Sequence, residues 1–332
     1  MSTAANTPYD VIVLGEVLVE VATEAPFGDG AEARMGISGD ALNVAAAAAA
    51  VGARVGLISV LGEDDLAQAV RGRIAELGIC TDLLITRPGQ QGAYFVHSDP
   101  DGAREFSYAR SHSVGSTLSS ADLDLDLIRS AGAVVASGIT CAISPTARDA
   151  VLLAARSATR FIFDPNHRPR LWSLEEARKV LPQVAGHSWL VTPSHPGETG
   201  ELFGAATPQE AASALIDIGA QNVAVTCGSD GIHVAQGRAP EGPAEHWVPS
   251  VPAPAVVDQT GAGDSFLGTT AARAVLGDSL PEAVRWGAAA ASLVVGGRGG
   301  TGFVPTAEQT RSHMNGDSAA ADSQGHAGGG GD

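Results

Sequence analysis

Lysine is nearly missing from this sequence: Lys179 is the only one in 332 residues. With 20 basic against 37 acidic side chains, the net charge is −17. That balance excludes nucleic acid and anionic membranes as partners, because both require a positive field. A phosphorylated small molecule is not excluded, but its cationic contacts must come from arginine or backbone amides. Cysteine is scarce too. Cys80, Cys141 and Cys227 lie far apart, with no Cys-x-x-Cys and no paired histidine, which argues against a disulfide scaffold or a zinc site and for reduced thiols. The apolar stretch over residues 9–22 is broken by Asp10, Glu16 and Glu20, unlike a secretory signal. No run approaches the ~20 apolar residues of a membrane span. A cytoplasmic location is the expectation.

What is present is an alternating text. Apolar runs at 11–14, 55–61, 132–136, 160–163, 188–192 and 222–227 predict strands. Helical patterns at 40–53, 64–77, 145–157, 173–184 and 207–219 fall between them. Gly78 is a natural helix stop. This βα rhythm predicts an α/β fold, a mostly parallel central sheet between two helical layers. Short strands at 231–235 and 245–249 precede two last helices, 263–276 and 281–295. Two segments stand outside the rhythm. Residues 16–36 contain Val17, Val19 and Val21 in alternation, an expected apolar lid face that suits a homodimer. Residues 91–98 and 104–110 form a hairpin around Pro100, Asp101 and Gly102. Together they predict a small β-sheet lid over the carboxyl ends of the parallel strands, where ligands of such sheets bind. The domain spans 9–306; the Ser/Ala/Gly/Asp-rich text over 307–332 reads as a disordered tail.

The segment VDQTGAGDSF over 257–266 carries the strongest chemical signal. Gly261, Ala262 and Gly263 allow a tight turn with exposed amides, and a helix follows, which together suit a phosphate. An acid at Asp264 repels that phosphate unless it faces the other reactant, a hydroxyl. The plainer alternative is a first-turn acid complementing the helix dipole.

This stretch resembles the D-T-x-G-A-G-D signature of the ribokinase/PfkB carbohydrate kinases, matching it at Asp258, Gly261, Ala262, Gly263 and Asp264 and departing at Gln259. Residues 36–78, with an Ala-rich helix followed by VGLISVLGED, are similar to the family's other signature. The resemblance implies a ribokinase-like three-layer αβα fold with a β lid, ATP and Mg²⁺ as cofactors, and in some members K⁺. By position it implies Asp264 as general base and the 261–263 turn as anion hole. Thr226, Gly228 and Gly231, with that turn, become the ATP site; Asp258 and Thr260 become the monovalent-cation residues. Lid pairing between subunits, hence a homodimer or higher homo-oligomer, is a further implication. The family's Asn-x-x-Glu for the Mg²⁺ waters departs here: Glu198 fits, while its asparagine is replaced by His195 or displaced to Ser194.

Gly39, Asp40 and Asn43 stand where the family binds sugar hydroxyls; Asp40 also suits a helix N-cap. The segment FDPNHRPRLW over 163–172 and the YAR of 108–110 resemble the 2-keto-3-deoxygluconate kinases, which implies that Tyr94, Tyr108, Arg110 and Arg168 face a sugar acid. Two arginines at one pocket favour an anionic sugar on independent grounds, since each grips a carboxylate with two hydrogen bonds. A structural tie of Arg168, as an ion pair with Asp164 or a bond to a loop carbonyl, is the competing account. The expected reaction is phosphorylation of 2-keto-3-deoxygluconate to its 6-phosphate, with fructose and 5-dehydro-2-deoxygluconate as alternatives. A non-catalytic sugar-binding regulator is disfavoured by the intact base and turn, and a dinucleotide oxidoreductase by the absence of GxGxxG in the first βα unit.

Overall fold

The computed structural model describes residues 8–98, 104–237, 243–297 and 299–316, and every structural statement below concerns those residues. Its strands are β1 (Val11–Leu14), β2 (Leu18–Thr23), β3 (Arg34–Ser38), β4 (Val55–Leu61), β5 (Leu84–Thr86), β6 (Ala93–Ser98), β7 (Arg104–Ala109), β8 (Ala133–Ser137), β9 (Phe161–Asp164), β10 (Leu190–Val191), β11 (Asn222–Thr226), β12 (Ile232–Gln236) and β13 (Ala244–Val248).

Successive side chains of a strand point to opposite faces, and here both faces are apolar. Val11 and Val13 join one hydrophobic core, Ile12 and Leu14 the other; Ile162 is divided in the same way from Phe161 and Phe163. Full burial of one such side chain stabilises by about 1.5–3 kcal/mol. A sheet wrapped on both sides is the three-layer αβα arrangement, with order β13-β12-β11-β10-β9-β8-β1-β4-β5. Neighbours from β11 to β5 run parallel. β12 and β13, which the sequence marks only as a second region of short strands, extend this sheet antiparallel beyond β11.

The helix Asp40–Ala50 ends three residues before its predicted limit, at a turn through Gly52 with φ 98°. It packs on the helix Ala262–Val275 unusually closely. A Cβ on Gly268 would lie 2.1 Å from the carbonyl oxygen of Val44, so the alanine-rich face and this glycine set the distance between the two signature segments.

The smaller sheet has order β3-β2-β6-β7. β6 and β7 are the expected hairpin, with Tyr94 opposite Tyr108; the turn at 100–102 lies outside the described residues. The expected apolar face of Val17, Val19 and Val21 is corrected. β2 follows β1 so directly that Val17 (0% exposed) and Val19 (3%) sink into the main core. Met35 and Phe95 are exposed instead. A second correction concerns the tail: residues Ala307–Asn315 form a helix, capped reciprocally by Thr306 and Gln309. Residues 317–332 lie outside the described residues. No helix among the described residues is long and apolar enough to cross a membrane, and the three cysteines are free.

Candidate active site

Neighbouring strands of the parallel sheet end at one place. β1 runs into Glu16, β8 ends in Ser137, β9 in Asp164 and β11 in Thr226, while Thr192 and Ser194 follow β10. The helix Ala262–Val275 starts at the same edge, and Leu18, Tyr94, Phe106 and Tyr108 of the smaller sheet line the other side. Between them lies a cavity of about 740 Å³, the size of a small-molecule site.

Asp264 faces this cavity from the first turn of its helix. Asn43 Nδ2 donates to its Oδ2 at 2.8 Å, and Ser38 Oγ donates to Asn43 Oδ1 at 3.3 Å. The two signature segments thus meet in one hydrogen bond. Burial, and then the negative charge of Asp40, raise the Asp264 carboxyl to about 7, so it can take up a proton near neutral pH. Gly261 caps the helix in the left-handed conformation, φ 79°, and a Cβ there would lie 3.2 Å from Gly300 Cα. First-turn amides have no intrahelical acceptor; the Ala262 N–H reaches only Gln259 O, at 3.3 Å. Gly261 and Gly263 line the cavity, whereas Ala262 contributes backbone behind them.

Asp258 does not line the cavity. Its Oδ1 accepts from Thr260 N–H at 2.6 Å and its Oδ2 from Gly299 N–H at 3.0 Å, clamping the glycine turn to the segment after the next helix. Thr260 lines the wall. At the other end, Thr226 reaches the cavity while Gly228 (φ 57°) and Gly231 (φ 114°) shape the turn behind it.

A second carboxylate group lies along the floor. Asp40 accepts from Ser137 Oγ, and burial raises its pKa. Glu198 Oε1 accepts from His167 N–H at 2.7 Å, and Oε2 from Ser194 N–H at 2.9 Å and Ser194 Oγ at 3.0 Å. His195 turns away, its Nδ1 2.7 Å from Thr199 Oγ1, so Ser194 rather than His195 shares the cavity wall with Glu198. Asp164 is held well above the ordinary carboxylate range by burial and then by the charges of Glu198 and Asp264. Crowded carboxylate oxygens of this kind fit a hard cation such as Mg²⁺. No group of three His, Cys, Asp or Glu among the described residues is arranged to hold a metal ion.

Three arginines border the cavity, and they differ. Arg110 is ion-paired with Glu16. Arg170 donates to the carbonyl of Phe106 in β7. Arg168 donates to the loop carbonyl of His167 at 3.3 Å, which is the carbonyl form of the structural tie; it forms no ion pair with Asp164 or any other carboxylate of the described residues, although its charge favours the ionised forms of Asp40, Asp164 and Asp264. Tyr94 is buried, its hydroxyl donating to Glu20, while Tyr108 is 41% exposed. Gly39 completes this wall beside Asp40.

The profile of the pfkB family carbohydrate kinases matches residues 10–307. The chain belongs to this family. It is a carbohydrate kinase on the ribokinase-like fold. The 2-dehydro-3-deoxygluconokinase of Thermoproteus tenax is 32% identical over 308 residues, covering 91% of this chain and 93% of that protein. The 2-dehydro-3-deoxygluconokinase of Bacillus subtilis is 30% identical over 288 residues, covering 84% and 86%. The crystal structure of a PfkB protein from Polaromonas sp. JS666 superposes with a TM-score of 0.79 at 27% identity, over 92% of this chain and 99% of that one.

Several residues that line the cavity were not singled out by the sequence as site residues. Asp164 and Arg170 sit inside the 163–172 segment, where Asp164 reads only as a structural partner for Arg168. Leu18, Ser38 and Phe106 carried no signal, because lid residues are chosen by the cavity they face.

Proposed function

We propose that this kinase transfers the γ-phosphoryl group of ATP to the 6-hydroxyl of 2-keto-3-deoxygluconate. The observation that carries the reading is the Arg168 guanidinium at the cavity wall, held by a single 3.3 Å bond to the His167 carbonyl and sharing that wall with Arg110. A planar fork of donors in that position suits a sugar carboxylate. The names of the two relatives support the same substrate.

Asp264 is the general base in this reading. As the sugar oxygen bonds to the γ-phosphorus and the bond to the β–γ bridging oxygen breaks, Asp264 takes the hydroxyl proton and ADP leaves. Asn43 holds one carboxylate oxygen, leaving the other toward the sugar. First-turn amides at 261–264 stabilise the phosphoryl charge, the dominant need in phosphoryl transfer. Asp40 and Gly39 bind sugar hydroxyls, Tyr94 and Tyr108 cover the ring, and Arg110 adds donors at the acid end. ATP lies toward Thr226 and the 228–231 turn. Glu198 and Asp164 would hold the Mg²⁺ waters; the ion supplies charge neutralisation on the phosphates when bound. Asp258 and Thr260 are the residues for a monovalent cation such as K⁺.

ADP release with ATP and Mg²⁺ against 2-keto-3-deoxygluconate, fructose, ribose and 5-dehydro-2-deoxygluconate tests the assignment. Highest kcat/KM for 2-keto-3-deoxygluconate is expected. Preference for fructose would overturn the sugar-acid reading and leave Arg168 a structural residue.

A further inference from the structure

A buried carboxylate stands directly behind the sugar site. Glu16 is 1% exposed, at the end of β1, and does not line the cavity. Its side chain pairs with Arg110, itself only 9% exposed, and accepts from Ser113 Oγ. Two glycines seat it: a Cβ on Gly115 would lie 2.5 Å from Glu16 Cγ, and one on Gly92 2.7 Å from Oε1. Two distant segments, one with Gly92 and the other with Arg110, Ser113 and Gly115, therefore converge on one carboxylate, and each meets it with a glycine. Burying both charges costs several kcal/mol per ion, and apolar side chains of like volume would stabilise the fold as well. The arrangement serves placement better than stability. Arg110 is the member that reaches the cavity, next to Asp40.

We propose that Glu16 is a positioning residue for sugar binding: it fixes the Arg110 guanidinium so that its remaining donors point at the substrate. The pairing also offsets the Arg110 charge, so that Arg110 adds hydrogen-bond donors at the acid end while Arg168 supplies the charge for the substrate carboxylate. This second clause rests on the sugar-acid reading above; the positioning role does not.

The test is a double-mutant cycle on the full chain with Glu16→Gln, Arg110→Ala and both, using whichever sugar the wild type phosphorylates best. Glu16→Gln is expected to raise the sugar KM about tenfold, within the coupling range of contacting residues. KM for ATP should stay within about twofold and kcat fall less than the sugar KM rises. In the Arg110→Ala background the same change should add nothing. Ser113→Ala, which keeps both charges, should raise the sugar KM about threefold and serves if Glu16→Gln does not fold. Unchanged sugar KM, equal losses toward sugar and ATP, or additive effects of Glu16 and Arg110 would each overturn the proposal. Failure of 2-keto-3-deoxygluconate as a substrate would strike the sugar-acid reading instead and leave the cycle to be run on the preferred sugar.

Discussion

The floor and the lid of the cavity are built by opposite rules. The floor is made of backbone and short acids at the ends of deeply buried strands and at one helix start. Asp264 and Asp164 have their pKa values raised by burial and then by the charges of neighbouring carboxylates. The lid side presents long side chains whose aim is set by partners distant in sequence: Tyr94 by Glu20, Arg110 by Glu16, and the β7 edge by Arg170. The floor suits a reaction common to many substrates, and the lid suits a choice among them. Rate and selectivity should therefore break separately.

The largest break is Asp264→Asn. It should lower kcat by about 10²–10⁴-fold with the sugar still bound, checked by single-turnover kinetics and equilibrium binding. Next is acidity. A base with a pKa of about 7 makes kcat/KM fall about tenfold per pH unit below that value, and Asp264→Asn should remove the inflection. The stability sign is opposite. A raised carboxyl binds its proton more tightly in the folded state, so its contribution is full below the ordinary aspartate pKa and is lost as pH rises through about 7. Denaturant midpoints of the ligand-free protein at pH 5 and pH 8 should therefore differ more in the wild type than in the Asn variant.

Gly268→Ala attacks the floor from behind. The added methyl meets the Val44 carbonyl oxygen at 2.1 Å, and overpacking of this kind costs about 1–3 kcal/mol or more. Urea unfolding should shift accordingly, and kcat should fall because Asn43 and Asp264 move apart. The smallest effect belongs to the lid. Arg170→Ala removes the bond to Phe106 O and should raise the sugar KM about threefold, as for one net hydrogen bond, with kcat for the bound sugar nearly kept.

The same contrast explains what was legible in the sequence. The floor is written locally: strand, glycine turn and acid lie within a few residues, so the 257–266 and 36–78 segments announce their chemistry. The alternation of strand and helix that positions them is local as well. Lid contacts join residues 74 to 97 positions apart, as in Glu20 with Tyr94 or Glu16 with Ser113, and no spacing rule links such pairs. Glu16 looked like an interruption of an apolar strand because its partners were invisible. The helix Ala307–Asn315 was lost to its polar composition, although Thr306 and Gln309 spell a capping box. The valines of residues 17–21 misled for a related reason: alternation identifies a strand but not which of two sheets its apolar face joins.

One ratio tests the division of labour directly: kcat/KM for 2-keto-3-deoxygluconate over that for fructose, in the wild type, Asp264→Asn and Arg168→Ala. Asp264→Asn should lower both terms together and leave the ratio in place, while Arg168→Ala should collapse it by about tenfold or more, the loss of one charge-assisted grip. A ratio that survives Arg168→Ala, or one that collapses with Asp264→Asn, would contradict the account.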